Sequence, residues 1–189
     1  YTFEVKTDFA KEVLPALING DADIAAIPTN GASIAYNKTQ GKVKVLAVNT
    51  LGCLYVIGKT EVTSLADLDG KTVYAPAQNP TFIFKYLCEQ NNVNVTIDNQ
   101  YSAPADLVAA VAAGKVDYAV LPEPMITIAK AKNADLKVSL DLTAEWNKLD
   151  GKQDTLVQGC VVVRTEFLEA HPEAVANFLS AYEASVNYV

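Results

Sequence analysis

Val13 to Lys38, VLPALINGDADIAAIPTNGASIAYNK, is echoed 94 residues later by Leu107 to Lys132, LVAAVAAGKVDYAVLPEPMITIAKAK. Gly20 aligns with Gly114, Asp23 with Asp117, Ala25 with Ala119, Pro28 with Pro122 and Lys38 with Lys132. Apolar character matches at Val13/Leu107, Leu17/Val111 and Ile27/Leu121. Each copy reads as a helix, a glycine-closed turn, a short apolar strand, a proline and a second helix. A unit of this length, with its connections, makes a whole sheet and is not a solenoid module. The competing account is chance alignment of common Ala and Gly. Taken as real, the echo predicts two α/β lobes of similar construction.

Outward from the first copy, Tyr1 to Lys6 (YTFEVK) alternates as a strand, and Asp8 caps a helix carrying Phe9, Val13 and Leu17. Val43 to Val48 and Leu54 to Gly58 read as further strands. Beyond them, SLADLDGK (Ser64 to Lys71) leads into the strand Thr72 to Ala75. A helix follows over Pro80 to Gln90, with Asn79 as its N-cap and Pro80 at its first helical position. Val93 to Ile97, Val116 to Leu121 and Leu136 to Leu140 read as strands, Met125 to Ala131 and the tail from Thr165 as helices. Strands alternating with helices, several of them continuously apolar, predict a mostly parallel sheet covered on both faces. The predicted division is a first lobe of residues 1–60 plus 157–189 and a second lobe of 65–143. The crossings lie at about 60–65 and 143–157.

The formal net charge of −7 opposes electrostatic binding to nucleic acid. No apolar run approaches the roughly 20 residues that span a bilayer. Cys53, Cys88 and Cys160 are too scattered for a CxxC metal site. Gly52-Cys53 and Gly159-Cys160 each open an apolar strand; a Cys53–Cys160 disulfide requires those strands to be neighbours, and unpaired buried thiols are the other reading. The single histidine, His171, has no second histidine with which to hold a metal. GxSxG, HExxH, Walker A and GxGxxG motifs are absent from the sequence. Catalysis has no positive support, and neither a cofactor nor a metal is expected.

In open α/β sheets, ligands sit beyond the carboxyl ends of the strands. The loops after the two echoed strands, Pro28-Thr29-Asn30 and Pro122-Glu123-Pro124, are therefore expected to face a shared cleft. The segment Gln78-Asn79-Pro80-Thr81 stands where a strand gives way to a helix, whose first N–H groups attract oxygen acceptors. Gln78, Asn79, Thr81, Thr29, Asn30 and Ser33 supply uncharged hydrogen-bonding groups; ordinary capping is the alternative role for each. Phe82 or Tyr101 can stack on a flat ligand or belong to the core. Glu123 can accept from an amino group or tie the loop through backbone donors. Arg164, the one arginine, is read as a surface charge.

These strings resemble the substrate-binding proteins of bacterial ABC importers for nitrate, sulfonates, taurine or thiamine-precursor pyrimidines. The resemblance is carried by LINGDADIAAIP (Leu17 to Pro28), VKVLA (Val43 to Ala47), SLADLDGKTV (Ser64 to Val73), AGKVDYAVLPEP (Ala113 to Pro124) and VVRTEFLEAHPEA (Val162 to Ala174). It implies a periplasmic-binding-protein-like α/β fold of type II, two hinge-joined lobes that close on a small molecule. By matching segments it places Thr29, Asn30, Gly52, Asn79, Thr81, Glu123 and Gln158 on the cleft. It further implies a monomeric receptor, periplasmic or extracellular and lipid-anchored in a longer parent protein, that hands its ligand to a membrane permease. A ligand-sensing domain and an enzyme of pyrimidine-precursor synthesis are the alternatives on the same fold. The cysteine cluster of that enzyme branch is not present.

Overall fold

A computed structural model describes every residue except Thr7, Ser102 and Val189. In chain order, a π-type turn at Phe9–Val13 runs into α1 (Leu14–Asn19), β1 (Ile24–Pro28), α2 (Thr29–Lys38), β2 (Val43–Leu51) and β3 (Leu54–Gly58). A 3-10 turn at Leu65–Leu68 precedes β4 (Thr72–Tyr74), α3 (Asn79–Gln90), β5 (Thr96–Asp98), α4 (Pro104–Ala112), β6 (Tyr118–Pro122) and α5 (Met125–Lys132). The chain continues through β7 (Lys137–Asp141), α6 (Leu142–Asn147), β8 (Val157–Arg164), α7 (Thr165–Ala170) and α8 (Pro172–Tyr188). It divides into two compact α/β units, Tyr1–Thr50 with Val157–Val189, and Leu51–Leu156.

The first unit carries a three-stranded sheet in the order β1-β8-β2. β1 and β8 run antiparallel, from Ile24 opposite Val163 to Pro28 opposite Gly159. Its core gathers Leu14, Leu17, Ile27, Ala35, Val43, Cys160 and Val162. Tyr1–Lys6, predicted as a strand, joins neither sheet and stays exposed.

The second unit carries the order β5-β4-β6-β3-β7. β4 pairs parallel with β5 and β6, while β3 runs antiparallel to both β6 and β7. The second sheet is therefore mixed, and the β1–β8 pair of the first is antiparallel, where mostly parallel pairing was expected. β3, grouped by sequence with the first lobe, is hydrogen-bonded into the second unit's sheet, because its side chains alternate between two apolar layers. Leu54 and Val56 enter the layer with Val73, Phe84, Leu87 and Val120. Ile57 enters the opposite layer with Leu107, Val111, Leu121 and Ile126.

The internal echo is structural. β1 spans 24–28 and β6 spans 118–122, the same strand at the same offset of 94 residues. Gly20 (φ 86°) and Gly114 (φ 72°) both turn in the left-handed region that a Cβ disfavours. In each copy a cation from the antiparallel neighbour strand lies over that glycine and pairs with the echoed aspartate. Arg164 meets Asp23 at 3.1 Å and Lys59 meets Asp117 at 3.5 Å. Arg164 also donates to Glu166 at 2.8 Å and to the Gly20 carbonyl at 3.4 Å. It is thus a bridge, not the plain surface charge expected from sequence. Gly20→Ala and Gly114→Ala should each lose about 1–2 kcal/mol, seen as a lower urea midpoint with an unchanged slope.

Candidate functional site

The four parallel strands of the second unit end on one rim, and β3 begins there. The rim is assembled from the Gly52-Cys53 turn, residues 75–82 after β4, 98–101 after β5, 122–127 after β6 and 141–144 after β7. Its parts are tied together by direct bonds. The Glu123 amide donates to the Cys53 carbonyl at 3.0 Å and the Gly52 amide to the Leu156 carbonyl at 3.0 Å. Gly52 is obligatory as glycine, because its φ is 72° and a Cβ would run into the Thr143 hydroxyl.

The predicted residues of this unit, Gly52, Gln78, Asn79, Thr81 and Glu123, all belong to the rim segments. Helix α3 begins one residue earlier than expected, at Asn79, so Gln78 and not Asn79 occupies the cap position. Gln78 holds φ 78° and ψ −132°, an unfavourable conformation for a residue with a Cβ. Cys53 shares the trait at φ 75°. Two such residues on one rim are the kind of strain that collects at ligand-binding segments. The Thr81 hydroxyl donates to the Pro76 carbonyl at 2.9 Å and accepts from Asn99 Nδ2 at 2.7 Å. Glu123 Oε2 accepts from both the amide (3.3 Å) and hydroxyl (3.0 Å) of Thr127, tying its loop to the start of α5. Asp141 likewise accepts from the Thr143 and Ala144 amides at the start of α6.

The two aromatic candidates part company. Phe82 projects from the first turn of α3 and is 60% exposed. Tyr101 packs on Tyr74, ring centres 5.9 Å apart, and against the core layer of α4 and α5. Sequence reading left Phe82 either to stack or to join the core; the buried residues of α3 are Phe84, Leu87 and Cys88. It missed Asn99, Asp141 and Thr143, whose importance arises only from contacts between different strand ends.

In the first unit, Thr29 donates to the Val157 carbonyl at 3.0 Å, and Pro28 lies opposite Gly159. Thr29, Asn30 and Gln158 therefore come together where β1 ends and β8 begins. Asn49 and Thr50 join them, crowding the Gly159 backbone, and were not anticipated. Thr29 also borders a hollow of about 660 Å³ walled by Ser33 and Tyr36 of α2 and by Val45 and Val48 of β2. That hollow lies over the sheet and shares Thr29 and Ser33 with the predicted residues.

All three cysteines are thiols, and Cys53 and Cys160 form no disulfide. Their strands β3 and β8 lie in different sheets, and the Gly-Cys pairs differ in setting: Gly52-Cys53 precede β3, whereas Gly159-Cys160 lie within β8. Burial raises all three thiols, with Cys88 pushed from 9.0 up to about 11. Cys53 is raised by burial first and by the Glu123 carboxylate second. Among the described residues, no group of three His, Cys, Asp or Glu side chains gathers in the manner of a metal site.

Two α/β units, each with a helix–Gly–strand–helix core, make the periplasmic-binding-protein fold of type II. The chain belongs to the NMT1/THI5-like family, whose profile matches residues 5–189. No curated protein sequence matches it. Among solved structures, an ABC transporter protein of Parabacteroides distasonis is 26% identical with a TM-score of 0.64, covering 85% of this chain and 56% of that one. A putative periplasmic sulfonate-binding protein SsuA of Methylobacillus flagellatus is 20% identical with a TM-score of 0.73, covering 95% and 53%. The aliphatic sulphonate binding protein SsuA of Escherichia coli is 17% identical with a TM-score of 0.69, covering 89% and 56%. The chain thus spans about half the length of these proteins.

A raised thiol pKa means less thiolate at a given pH, so at pH 8 iodoacetamide should label the folded protein far more slowly than the urea-unfolded chain. For Cys88 the thiolate fraction alone gives a factor of about a hundred. Glu123→Gln should speed labelling at Cys53 and leave Cys88 and Cys160 unchanged, as peptide mapping would report.

Proposed function

We propose that this chain is the solute-binding part of an extracytoplasmic receptor that delivers a small polar organic molecule to an ABC importer. The observation that carries the reading is the second unit's rim. There, Gly52, Cys53 and Gln78 hold positive φ beside the start of a twelve-residue helix, at the ends of parallel strands, in a chain of this family. The proposed contacts are Gly52, Gln78, Asn79, Thr81 and Glu123 on that rim, with Phe82 for stacking, and Thr29, Asn30 and Gln158 on the first unit. A membrane permease is the proposed partner, and a periplasmic or extracellular, lipid-anchored parent protein the proposed setting.

The rim's charge favours a solute rich in N–H donors over an oxyanion. Segments 51–55, 75–82, 98–101, 122–127 and 141–144 contain Asp98, Glu123 and Asp141 and not one Lys or Arg. Glu123 and Asp141 stand at the starts of α5 and α6, and each full carboxylate charge exceeds the roughly half charge of that helix end. The hydroxyl protons of Thr81 and Thr127 are spent on Pro76 and Glu123, leaving those oxygens as acceptors. A carboxylate oxygen accepts more than one bond, so Glu123 can serve both its loop and an amino group. Oxyanions such as nitrate or a sulfonate are left to the backbone donors of α3 and the side-chain amides of Gln78 and Asn79. An aminopyrimidine, flat and carrying N–H donors, meets both the acceptors and the exposed Phe82 ring.

A thermal-shift panel of aminopyrimidines, taurine, alkanesulfonates, nitrate and bicarbonate tests this. At a hundredfold excess over Kd, the best aminopyrimidine should stabilise the fold by about 2.7 kcal/mol. Glu123→Gln should weaken its binding roughly tenfold, from loss of a charge-assisted bond. A response to sulfonates alone would reverse the ligand class and leave the receptor reading standing. No stabilisation by any member would remove both.

A further inference from the structure

We propose that Asn99 is the positioning residue of the second unit's rim: its amide clasps the β4–α3 turn in the conformation that presents the first N–H groups of α3. This rests on the receptor reading above and concerns how its site is held in shape.

Asn99 directly follows β5, and its Nδ2 donates to the Ala75 carbonyl at 2.8 Å and to Thr81 Oγ1 at 2.7 Å. The carbonyl of Ala75 can only accept, so the atom of Asn99 that faces it must be the nitrogen. Thr81 passes its own proton to the Pro76 carbonyl at 2.9 Å. The side-chain amide of one strand end thus bonds to both ends of the turn, residue 75 where β4 stops and residue 81 in the first turn of α3. A backbone bond from the Ala75 amide to the Asp98 carbonyl at 3.0 Å fixes the two strand ends against each other beneath it. Inside this clasp lies Gln78, with φ 78° and ψ −132°. A conformation this unfavourable persists only where its surroundings over-determine it. Asn99 and Thr81 supply that constraint, and the Phe82 amide bonding to the Gln78 carbonyl at 3.0 Å carries the result into the helix. Asn99 is exposed, so its role is to hold the turn and not to fill the core.

Asn99→Ala removes both donors at every pH. Asn99→Asp removes them when ionised and restores one when protonated, below about pH 4. Two readouts decide the matter: hydrogen exchange of a peptide covering 76–83, as the variant-to-parent ratio at matched pH, and the Kd of the same panel of aminopyrimidines, taurine, alkanesulfonates, nitrate and bicarbonate. In Asn99→Ala, exchange in 76–83 should rise about tenfold, with protection of β3 and β6 unchanged. In Asn99→Asp the same rise should appear at pH 7 and recede below pH 4. Both variants should weaken whichever panel member binds the parent by about tenfold at pH 7. Parent-like exchange in both variants overturns the assignment. So does a loss of protection spread through the whole unit and indifferent to pH, the mark of a merely structural residue. Looser exchange with unaltered Kd also overturns it. If no panel member binds the parent, the receptor reading itself falls, and the assignment falls with it.

Discussion

The first unit depends on one long-range pairing. β8 lies between β1 and β2, and without it neither of those strands has a partner in the sheet. Its side chains Cys160 and Val162 complete the core that Leu14, Leu17 and Ile27 begin. A three-stranded sheet is close to the minimum that packs stably against helices. The segment before Thr50 therefore cannot form its core until the chain has returned from the second unit. Loop-closure entropy grows only slowly with loop length, so the long excursion costs little more than a short one. Direction explains the form of the joint. β8 meets β1 antiparallel and leaves at Arg164, whose guanidinium reaches Asp23 and the Gly20 carbonyl at the opposite end of β1 from Pro28.

The second unit solves the same problem with the same parts. β3 meets β6 antiparallel and ends at Gly58, and the next residue, Lys59, reaches Asp117 beside Gly114. The salt bridges themselves are modest, since both are partly solvated and such pairs are worth little. What recurs is geometry: a left-handed glycine lets the chain turn from helix to strand within a few residues, and the space without a Cβ is covered by the charged end of a long cationic side chain. This explains why the aspartates echo in the sequence without forming a carboxylate pair. Each is a structural partner of a neighbouring strand.

These relations set what could be read from sequence. The echo was legible because Gly20/Gly114, Asp23/Asp117 and Pro28/Pro122 punctuate identical elements, and the strand bounds agree to the residue. The residues after β4 and β6 were legible as site candidates because a strand-to-helix change carries Pro and amide side chains. Arg164 was misjudged because its partner Asp23 lies 141 residues away in the chain. β3 was grouped with the wrong strands because an apolar run looks alike whichever sheet receives it and in either direction. Gly52-Cys53 and Gly159-Cys160 look like matching strand openings, yet the register that places Pro28 opposite Gly159 places Pro122 opposite Leu54. The dipeptides therefore occupy different steps of the two ladders. Asn99 could not be found at all, because its two partners belong to another strand and a helix.

The same accounting shows where recognition can come from. Hydroxyls that look ligand-ready in sequence have their single protons committed inside the fold: Thr29 to Val157, Thr81 to Pro76, Thr127 to Glu123. A hydroxyl so committed still offers lone pairs but no donor. Glu123 and Asp141 add acceptors and raise the negative potential of the rim, where the Tyr55 hydroxyl is held above its ordinary pKa by burial and then by these two carboxylates. Donors on the rim therefore come from the backbone and from side-chain amides such as those of Gln78 and Asn79, and the backbone donors have no side chain to readjust. Their direction is set by φ and ψ alone. On the proposed receptor reading, this gives the unfavourable φ at Gln78 a purpose, and the residues that enforce it matter as much to recognition as those that touch the solute.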